Sequence, residues 1–209
     1  MKILLMVAGC MLALPVGLAY AQGPRLKPLP ESEMSEAQRK AVQEYERGPR
    51  GKMNPNGPSF ALLRSPELME RTQKLGEYLR YNTSIPLRLN EFAILITARE
   101  WNSQIEWVGH YGLALKAGLA PAVAADLAQG RRPAGMKDDE AIVYQFCKEI
   151  HDNKGVSDAT YQAVVEKFGE RGVMDLIGVT GYYTMQAMVL NVTRTPLPEG
   201  TAPPLPALK

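Results

Sequence analysis

Apolar residues recur three or four positions apart through most of the chain, which is the spacing of one face of an α-helix. The clearest example is "LRLNEFAILITARE" at 87–100, and a second helical pattern follows it up to residue 117. No run of alternating β-branched residues requires a strand. The pattern therefore predicts an all-α fold, a single-domain helical bundle.

Serine, proline and glycine residues divide this pattern into separate helices. Ser65, Pro66 and Glu67 place a cap, a proline and an acid in the order typical of a helix start, so we expect a helix over 66–81. Gly118 and Gly130 have the positions of helix ends. By the same criteria, a helix is predicted within 31–45, starting after Ser32 or Ser35, and further helices at 121–129, 138–151, 157–168 and 170–192.

Proline-rich segments form both ends of the chain after residue 21. "QGPRLKPLP" at 22–30 and "LPEGTAPPLPALK" at 197–209 cannot form a regular helix or a central strand, so we expect extended arms. "RGPRGKMNPNGPS" at 47–59 is predicted to be a long loop. The chain then divides into an N-terminal arm with one helix and a Gly/Pro loop (22–58), a helical domain (59–196) and a C-terminal arm (197–209).

The first 21 residues, "MKILLMVAGCMLALPVGLAYA", have the three parts of a cleaved secretory signal peptide. The apolar run is shorter than the roughly 20 residues of a membrane-spanning helix, although an uncleaved anchor is the alternative. "VAGC" at 7–10 resembles a lipoprotein cleavage site, but too few apolar residues precede it, and cleavage after Ala21 is favoured. We therefore expect a periplasmic or secreted protein without stable membrane insertion.

The overall composition excludes some classes of partner and chemistry. The 209 residues are 45% hydrophobic and 22% charged with a net charge of +2, which gives no reason to expect nucleic acid or an anionic membrane as partner. The two cysteines are Cys10 and Cys147, and Cys10 leaves with the signal peptide. The one remaining thiol can form no internal disulfide. Cys147 lies on an apolar helical face and is expected to be buried and inert.

The stretch "NSQIEWVGH" at 102–110 carries the most distinctive candidate residues. In one straight helix over 87–117, Glu91 and His110 would lie about 28 Å apart at roughly 1.5 Å per residue. Asn102 and Ser103 are poor residues for the middle of a helix but good caps, and Ser103 with Glu106 has the pattern of a capping box. A break at 101–103 is therefore predicted. It would fold the two helices into a hairpin, with Glu91 opposite Glu106 and His110.

Two interpretations of Glu106 and His110 remain open at this point. One turn apart on a helix, they can face the same cleft, where a histidine exchanges protons near neutral pH and a carboxylate orients it. Alternatively, Glu106 only caps the helix and His110 is a packed core residue. No metal site is predicted, because Glu-x3-His offers two ligands and a catalytic zinc needs three. The other histidine, His151, is placed at a helix end, where it suits the helix dipole.

The stretch "RLNEFAILITAREWNSQIEWVGHYGLALKAGL" at 88–119 resembles the core motif of the carboxymuconolactone decarboxylase family, within the alkyl hydroperoxidase D-like (AhpD-like) superfamily. The peroxidase branch of that superfamily has a glutamate, a Cys-x-x-Cys pair that begins twelve positions later, and a histidine four positions after the pair. On this chain Glu91 matches the glutamate and His110 matches the histidine. Ser103 and Glu106 stand where the two cysteines would be. The resemblance covers roughly 59–198.

The missing cysteines separate this chain from the peroxidase branch, because thiol peroxidase chemistry cannot operate with Ser103 and Glu106. The resemblance instead implies the decarboxylase-type branch: an all-helical homo-oligomer (trimer or hexamer), no cofactor, and loss of CO2 from 4-carboxymuconolactone in aromatic compound degradation. We therefore expect a cofactor-free, decarboxylase-like lyase acting on a small carboxylated lactone or keto acid. The alternative is an exported oligomeric protein of the same fold that binds a small molecule, or serves as an accessory subunit, without turnover.

The resemblance also implies roles for particular side chains. His110 is the expected proton donor or enolate stabiliser, and Glu106 or Glu91 sets its tautomer and charge. These three residues are the predicted catalytic group, without any cofactor or metal.

A second set of residues is predicted to bind the substrate. A dianionic substrate requires an arginine beside a carboxylate, and Arg88 and Arg99 lie on the right segment. Trp107 is a candidate for a pocket wall and Tyr183 for a hydroxyl that reaches the site. Each of these four has an ordinary alternative, as an exposed helix charge or a packing residue. Asn191 lies in an apolar helical run and is expected to be buried.

Overall fold

The structure of the protein is a computed structural model that describes residues 23–55 and 57–207. Within those residues it contains eight α-helices and one 3-10 turn (Glu31–Glu33), and no strand. The helices are α1 (Glu36–Arg47), α2 (Pro58–Leu62), α3 (Pro66–Tyr81), α4 (Leu87–Glu100), α5 (Gln104–Lys116), α6 (Pro121–Ala128), α7 (Asp138–Asn153) and α8 (Asp158–Thr193). The predicted all-α fold is confirmed.

Helix α4 forms the centre of the bundle. Every residue from Leu89 to Arg99 is buried, and α4 packs against α5, α6, α7 and α8. A helix that is apolar on all sides is stable only when other elements surround it. Its buried polar side chains must therefore find partners inside the protein. The Asn90 side chain donates to the carbonyl of Leu79 at 2.9 Å, and Glu91 meets His110 across the α4–α5 hairpin.

The chain turns sharply between α4 and α5, as the break predicted at 101–103 requires. Asn102 has a left-handed φ of 46°, which asparagine tolerates better than most residues. The capping box predicted for Ser103 and Glu106 is wrong, because the Ser103 side chain accepts no capping hydrogen bond at the start of α5. The Glu106 carboxylate instead approaches His110, since both side chains lie on the inner face of the hairpin.

Glycines end or bend the helices where the pattern predicted. Gly118 and Gly130 follow α5 and α6 with left-handed φ values of 99° and 71°. The helices predicted at 157–168 and 170–192 join as α8, which is kinked at Gly169, where φ is 70° and ψ is 174°. A glycine adopts such a backbone without the steric cost of a Cβ.

The first helix begins after Ser35, one of the two predicted caps, and belongs to a second, smaller apolar cluster. Ser35 caps α1, with its hydroxyl accepting from the Gln38 backbone N–H at 3.2 Å and the Gln38 side chain accepting in return at 2.9 Å. Tyr45, Leu63 and Met69 are core members of the cluster, which joins α1, α2 and α3. It holds the loop after α1 against α3.

Both proline-rich arms lie on helices of the same chain. In the N-terminal arm, the backbone N–H of Arg25 donates to the carbonyl of Thr193 at 2.9 Å, at the end of α8. In the C-terminal arm, Leu205 is buried, and its backbone N–H and carbonyl each bond to the side chain of Gln104 at 2.9 Å. The Arg99 guanidinium also donates to the carbonyl of Pro206 at 2.9 Å. These bonds fasten the C-terminal arm to the α4–α5 corner.

The predicted signal peptide at 1–21 lies outside the described residues. Among the residues that are described, no helix combines the length and the apolar character needed to cross a bilayer. The export of this chain therefore stays a prediction of the sequence.

Candidate functional site

A buried histidine between two carboxylates forms the centre of the site. His110 Nδ1 lies 2.7 Å from Glu91 Oε2, and His110 Nε2 lies 3.5 Å from Glu106 Oε2. Glu91 comes from α4, while Glu106 and His110 lie one turn apart on α5. The three residues expose only 1%, 5% and 6% of their surface, respectively. The hairpin thus brings together all three residues that the sequence analysis named as catalytic.

The geometry assigns a role to each nitrogen of His110. At 2.7 Å, the Nδ1–H group donates to the Glu91 carboxylate, which leaves Nε2 as the acceptor in the neutral ring. Burial raises the pKa of Glu106 above its ordinary value, and this outweighs the opposing effects of His110, Arg80 and Arg50. A carboxyl group that holds its proton can donate toward Nε2. The arrangement is therefore able to store a proton and pass it on.

Two tyrosines of α8 form one wall of this site. The ring of Tyr183 meets the ring of His110 edge to face, with 5.0 Å between their centroids, and Tyr182 packs against Tyr183 at 5.2 Å. Burial raises the pKa of both tyrosines. Both hydroxyls therefore stay protonated at neutral pH and can donate hydrogen bonds. Tyr183, predicted at the site, is located there.

Two arginines beside the site were not predicted. Arg50 lies in the loop after α1 and Arg80 in α3, and both are close enough to favour the charged form of Glu106. The Arg50 guanidinium and the Tyr182 hydroxyl meet over Gly76 of α3, where a Cβ would overlap both groups. Helix periodicity could not place Arg50, because a loop has no repeating face. The one local signal was Gly76 itself, since a glycine inside a helix often marks a close approach.

Several buried polar atoms around the site have no hydrogen-bond partner. They include Nε and Nη2 of Arg50, the Oε1 of Gln186 and the Oγ of Ser103. Gln186 is 2% exposed and lies one turn beyond Tyr182 on α8. Similar atoms occur elsewhere in the described residues, on Asn90, Arg99 and Asp139. An unpaired buried polar group costs about 1–3 kcal/mol, so a ligand that supplied an acceptor to Arg50 would stabilise this part of the site.

The predicted substrate-binding arginines have other partners. Arg88 pairs with Glu140 and, at 2.7 Å, with Asp139, so it joins the starts of α4 and α7. Arg99 donates to Asn102 at 3.0 Å and to the C-terminal arm. Neither arginine has a described contact with His110 or its carboxylates. Substrate binding by this pair stays a prediction, which these contacts do not favour.

The remaining predicted residues divide between the core and the surface. Trp107 is buried in the main core and stacks on Tyr111 with 6.2 Å between ring centroids. Asn191 is exposed and donates to the carbonyl of Trp101 at 2.8 Å, so its predicted burial is wrong. Asn191 lies on the solvent-facing side of α8, whereas its neighbour Leu190 is buried.

His151 and Cys147 lie on α7, and neither contacts His110. The Nε2 of His151 is 3.3 Å from the Thr97 hydroxyl, and burial lowers the pKa of this imidazole. Cys147 is buried as predicted, and burial raises its pKa to about 12. At neutral pH this thiol is protonated and unsuited to nucleophilic attack.

Two described cavities lie away from His110. One, of about 180 Å³, is below the N-terminal arm, and the other, of about 140 Å³, is between α1 and α3. Within residues 23–55 and 57–207, no three His, Cys, Asp or Glu side chains are arranged to share a metal ion.

Comparison with known proteins gives a match in structure but not in sequence. No family model matches the chain, and no curated protein matches it. A similar solved structure is the alkylhydroperoxidase AhpD core of an uncharacterized peroxidase-related protein from Ralstonia eutropha JMP134. The TM-score is 0.67 at 14% sequence identity, and the match covers 84% of this chain and 93% of that one. This likeness shows the fold alone, which is the AhpD-like helical fold expected from the sequence.

Proposed function

From this AhpD-like fold and its buried histidine, we propose that the protein is a cofactor-free lyase. It removes CO2 from a small carboxylated lactone or keto acid, with 4-carboxymuconolactone as the reference substrate. The observation that carries the proposal is the placement of His110 between Glu91 at 2.7 Å and Glu106 at 3.5 Å. This group can deliver a proton inside the protein, which is the step that completes a decarboxylation.

The proposed reaction has two steps. The C–C bond to the departing carboxylate breaks, CO2 leaves, and the electron pair passes into the neighbouring carbonyl to form an enolate. A proton from the Glu106–His110 pair then adds to the carbon that lost CO2, and solvent returns a proton to the pair. Glu91 stabilises the imidazolium form of His110 during this transfer. The tyrosine hydroxyls beside the ring can donate to the enolate oxygen.

The test is CO2 release from 4-carboxymuconolactone and a panel of small lactone acids and β-keto acids. We expect release by the wild-type protein and a loss of about 10²- to 10⁴-fold in His110→Ala, the range typical of general acid–base catalysis. His151→Ala is the matched control, because it removes the other histidine of the chain. Circular dichroism of all three proteins checks that each is folded.

The outcome of this assay also decides between the two functions expected from the sequence. Equal release by wild type and His110→Ala would contradict the role of His110. No release from any compound would contradict the lyase and favour the second candidate, an exported binding or accessory protein without turnover. The unpartnered buried polar atoms near Tyr182 favour ligand binding in either case.

We also propose that the protein is exported and assembles as a homo-oligomer, a trimer or hexamer. Helices α3 and α8 pack together, and both expose large apolar side chains. These are Leu68, Leu75, Tyr78 and Tyr81 on α3, with Met174, Ile177, Met188 and Val192 on α8. Exposed apolar surface of this kind is typical of contacts between subunits. Light scattering after gel filtration measures the subunit number, and a monomer at all concentrations would exclude the assembly.

A further inference from the structure

We infer that Arg50 is the residue that binds a substrate carboxylate at this site, and that the carboxylate it holds is not the one that leaves. This inference rests on the proposed function and refines it to a substrate with two carboxylates. The assignment moves carboxylate recognition from α4, where the sequence predicted it, to the loop between α1 and α2.

The first support is the hydrogen-bonding state of Arg50. The guanidinium interacts with the hydroxyl of Tyr182, but its buried Nε and Nη2 atoms have no carboxylate or carbonyl partner. These two nitrogens form one edge of the guanidinium, and their parallel N–H groups match the two oxygens of a carboxylate. A buried arginine edge without an acceptor is costly, and an anionic ligand would remove that cost.

The second support is the position of the guanidinium. Arg50 lies against the hydroxyl of Tyr182, over the bare backbone of Gly76. Tyr182 packs on Tyr183, whose ring meets His110 at 5.0 Å. A carboxylate on Arg50 would therefore be separated from His110 by the two tyrosine rings, which is within the length of a small molecule.

The third support is the balance of charge. Among the described residues, no carboxylate lies within 4.0 Å of Arg50 or Arg80, whereas Arg88 has two acidic partners. Both arginines are near enough to Glu106 to favour its charged form, but neither forms a close ion pair with it. Arg50 is therefore free of a close ion pair and can take an anionic ligand as its partner.

The chemistry of the reaction decides which carboxylate Arg50 holds. A bidentate arginine stabilises a carboxylate in its ionised ground state, and decarboxylation must give up that stabilisation. The carboxylate that leaves as CO2 is therefore better left without a bidentate partner. Arg50 holds the other one, which anchors the molecule while its reacting carbon lies near His110.

The experiment measures binding without turnover, so that it is independent of CO2 release. Benzoate and its uncharged analogue benzamide are titrated into the wild-type protein, Arg50→Gln, Arg50→Lys and Arg47→Gln, using calorimetry and saturation-transfer NMR. Arg47→Gln is the matched control, because that arginine is three positions away, is 70% exposed at its side chain and pairs only with Glu44. Circular dichroism confirms that each variant is folded.

We expect the wild-type protein and Arg47→Gln to bind benzoate more tightly than benzamide. Arg50→Gln should weaken benzoate binding by about ten- to hundredfold, the loss of a charge-assisted pair, and leave benzamide unchanged. The affinity of Arg50→Lys for benzoate should lie between those of wild type and Arg50→Gln. Lysine keeps the positive charge but lacks the two parallel N–H groups of the guanidinium. Equal binding of benzoate by wild type and Arg50→Gln, or no preference for benzoate in the wild type, would overturn the assignment. A protein that passes this test but releases no CO2 would refute the lyase and keep the carboxylate site.

Discussion

At the scale of single residues, the site depends on two carboxylates with different roles. Glu91 accepts a short hydrogen bond from His110 and fixes its tautomer. Glu106 has no partner as close, and burial raises its pKa. The same residue type thus serves as an orienting base in one place and as a proton store in the other, because the surroundings of the two side chains differ.

The raised pKa of Glu106 predicts a specific dependence of stability on pH. The folded protein holds this proton more tightly than the unfolded chain, whose Glu106 ionises near its ordinary pKa of 4.5. The free energy of unfolding therefore loses a contribution as the pH rises from that value to the folded pKa. In Glu106→Gln this loss is absent, so the variant should gain stability relative to wild type as the pH rises. Urea unfolding at several pH values measures the difference.

A surface glutamate serves as the control for this measurement. Glu67→Gln removes a carboxylate that is 78% exposed and paired with Arg71, so it should not show the gain in stability relative to wild type that is expected of Glu106→Gln at rising pH. If the stability of Glu106→Gln relative to wild type stayed constant or fell as the pH rises, the raised pKa would be contradicted.

At the scale of helices, the fold is organised around α4. The main core places α5 on one side of it and α7 and α8 on the others. Arg88 adds a polar connection to this packing, since it pairs with Glu140, which is 1% exposed at its side chain. The Glu140 carboxylate also accepts from the backbone N–H of Lys137 at 2.8 Å, at the start of α7.

This connection predicts a structural rather than a substrate-binding effect for Arg88. Arg88→Ala leaves the charge of Glu140 buried without its main partner, which typically costs about 3–5 kcal/mol of unfolding free energy. Chemical denaturation measures the loss. Arg71→Ala, which removes an exposed arginine paired with Glu67, should leave the unfolding free energy almost unchanged, because solvent screens this pair. If Arg88→Ala proved as stable as wild type and lost only affinity for carboxylates, the substrate-binding prediction would be restored.

At the scale of the whole molecule, both arms extend over the helical domain. The N-terminal arm bonds to the end of α8, and the C-terminal arm bonds to the α4–α5 corner. The geometry of this corner determines how α4 and α5 align, and therefore whether Glu91 faces His110. The C-terminal arm is therefore placed where its loss would loosen the hairpin that forms the site.

The burial of Leu205 allows this role of the arm to be measured. Leu205 is 3% exposed, and Leu205→Ala should lower the unfolding free energy by about 2–3 kcal/mol through lost apolar burial. Glu199→Ala, an exposed position in the same arm, should leave stability within about 0.5 kcal/mol. Thermal unfolding followed by circular dichroism measures both variants. Equal stability of the two would mean that the arm is not held in solution.

The sequence alone determined the features that depend on neighbouring residues. Helix ends at Gly118 and Gly130 and the break before α5 follow from local backbone preferences, which a short stretch of chain already contains. The spacing of Glu91, Glu106 and His110 matched the motif that the sequence resembles. The break predicted at 101–103 then implied a hairpin that brings the three residues together. The capping box failed because the backbone N–H of Ser103 donates to the carbonyl of Ala98 at 2.8 Å, on the helix before the turn, while the Glu106 carboxylate lies beside His110 one turn further along α5.

Only the tertiary structure decided which charged groups meet across long separations. Arg88 and Arg99 lie on the same segment as the site, yet their partners come from α7 and the C-terminal arm. Arg50 reaches the site from a loop with no periodic pattern, because Gly76 leaves room for it beside Tyr182. Ion pairs and buried hydrogen bonds depend on distances between elements, and those distances are set by packing of the whole core.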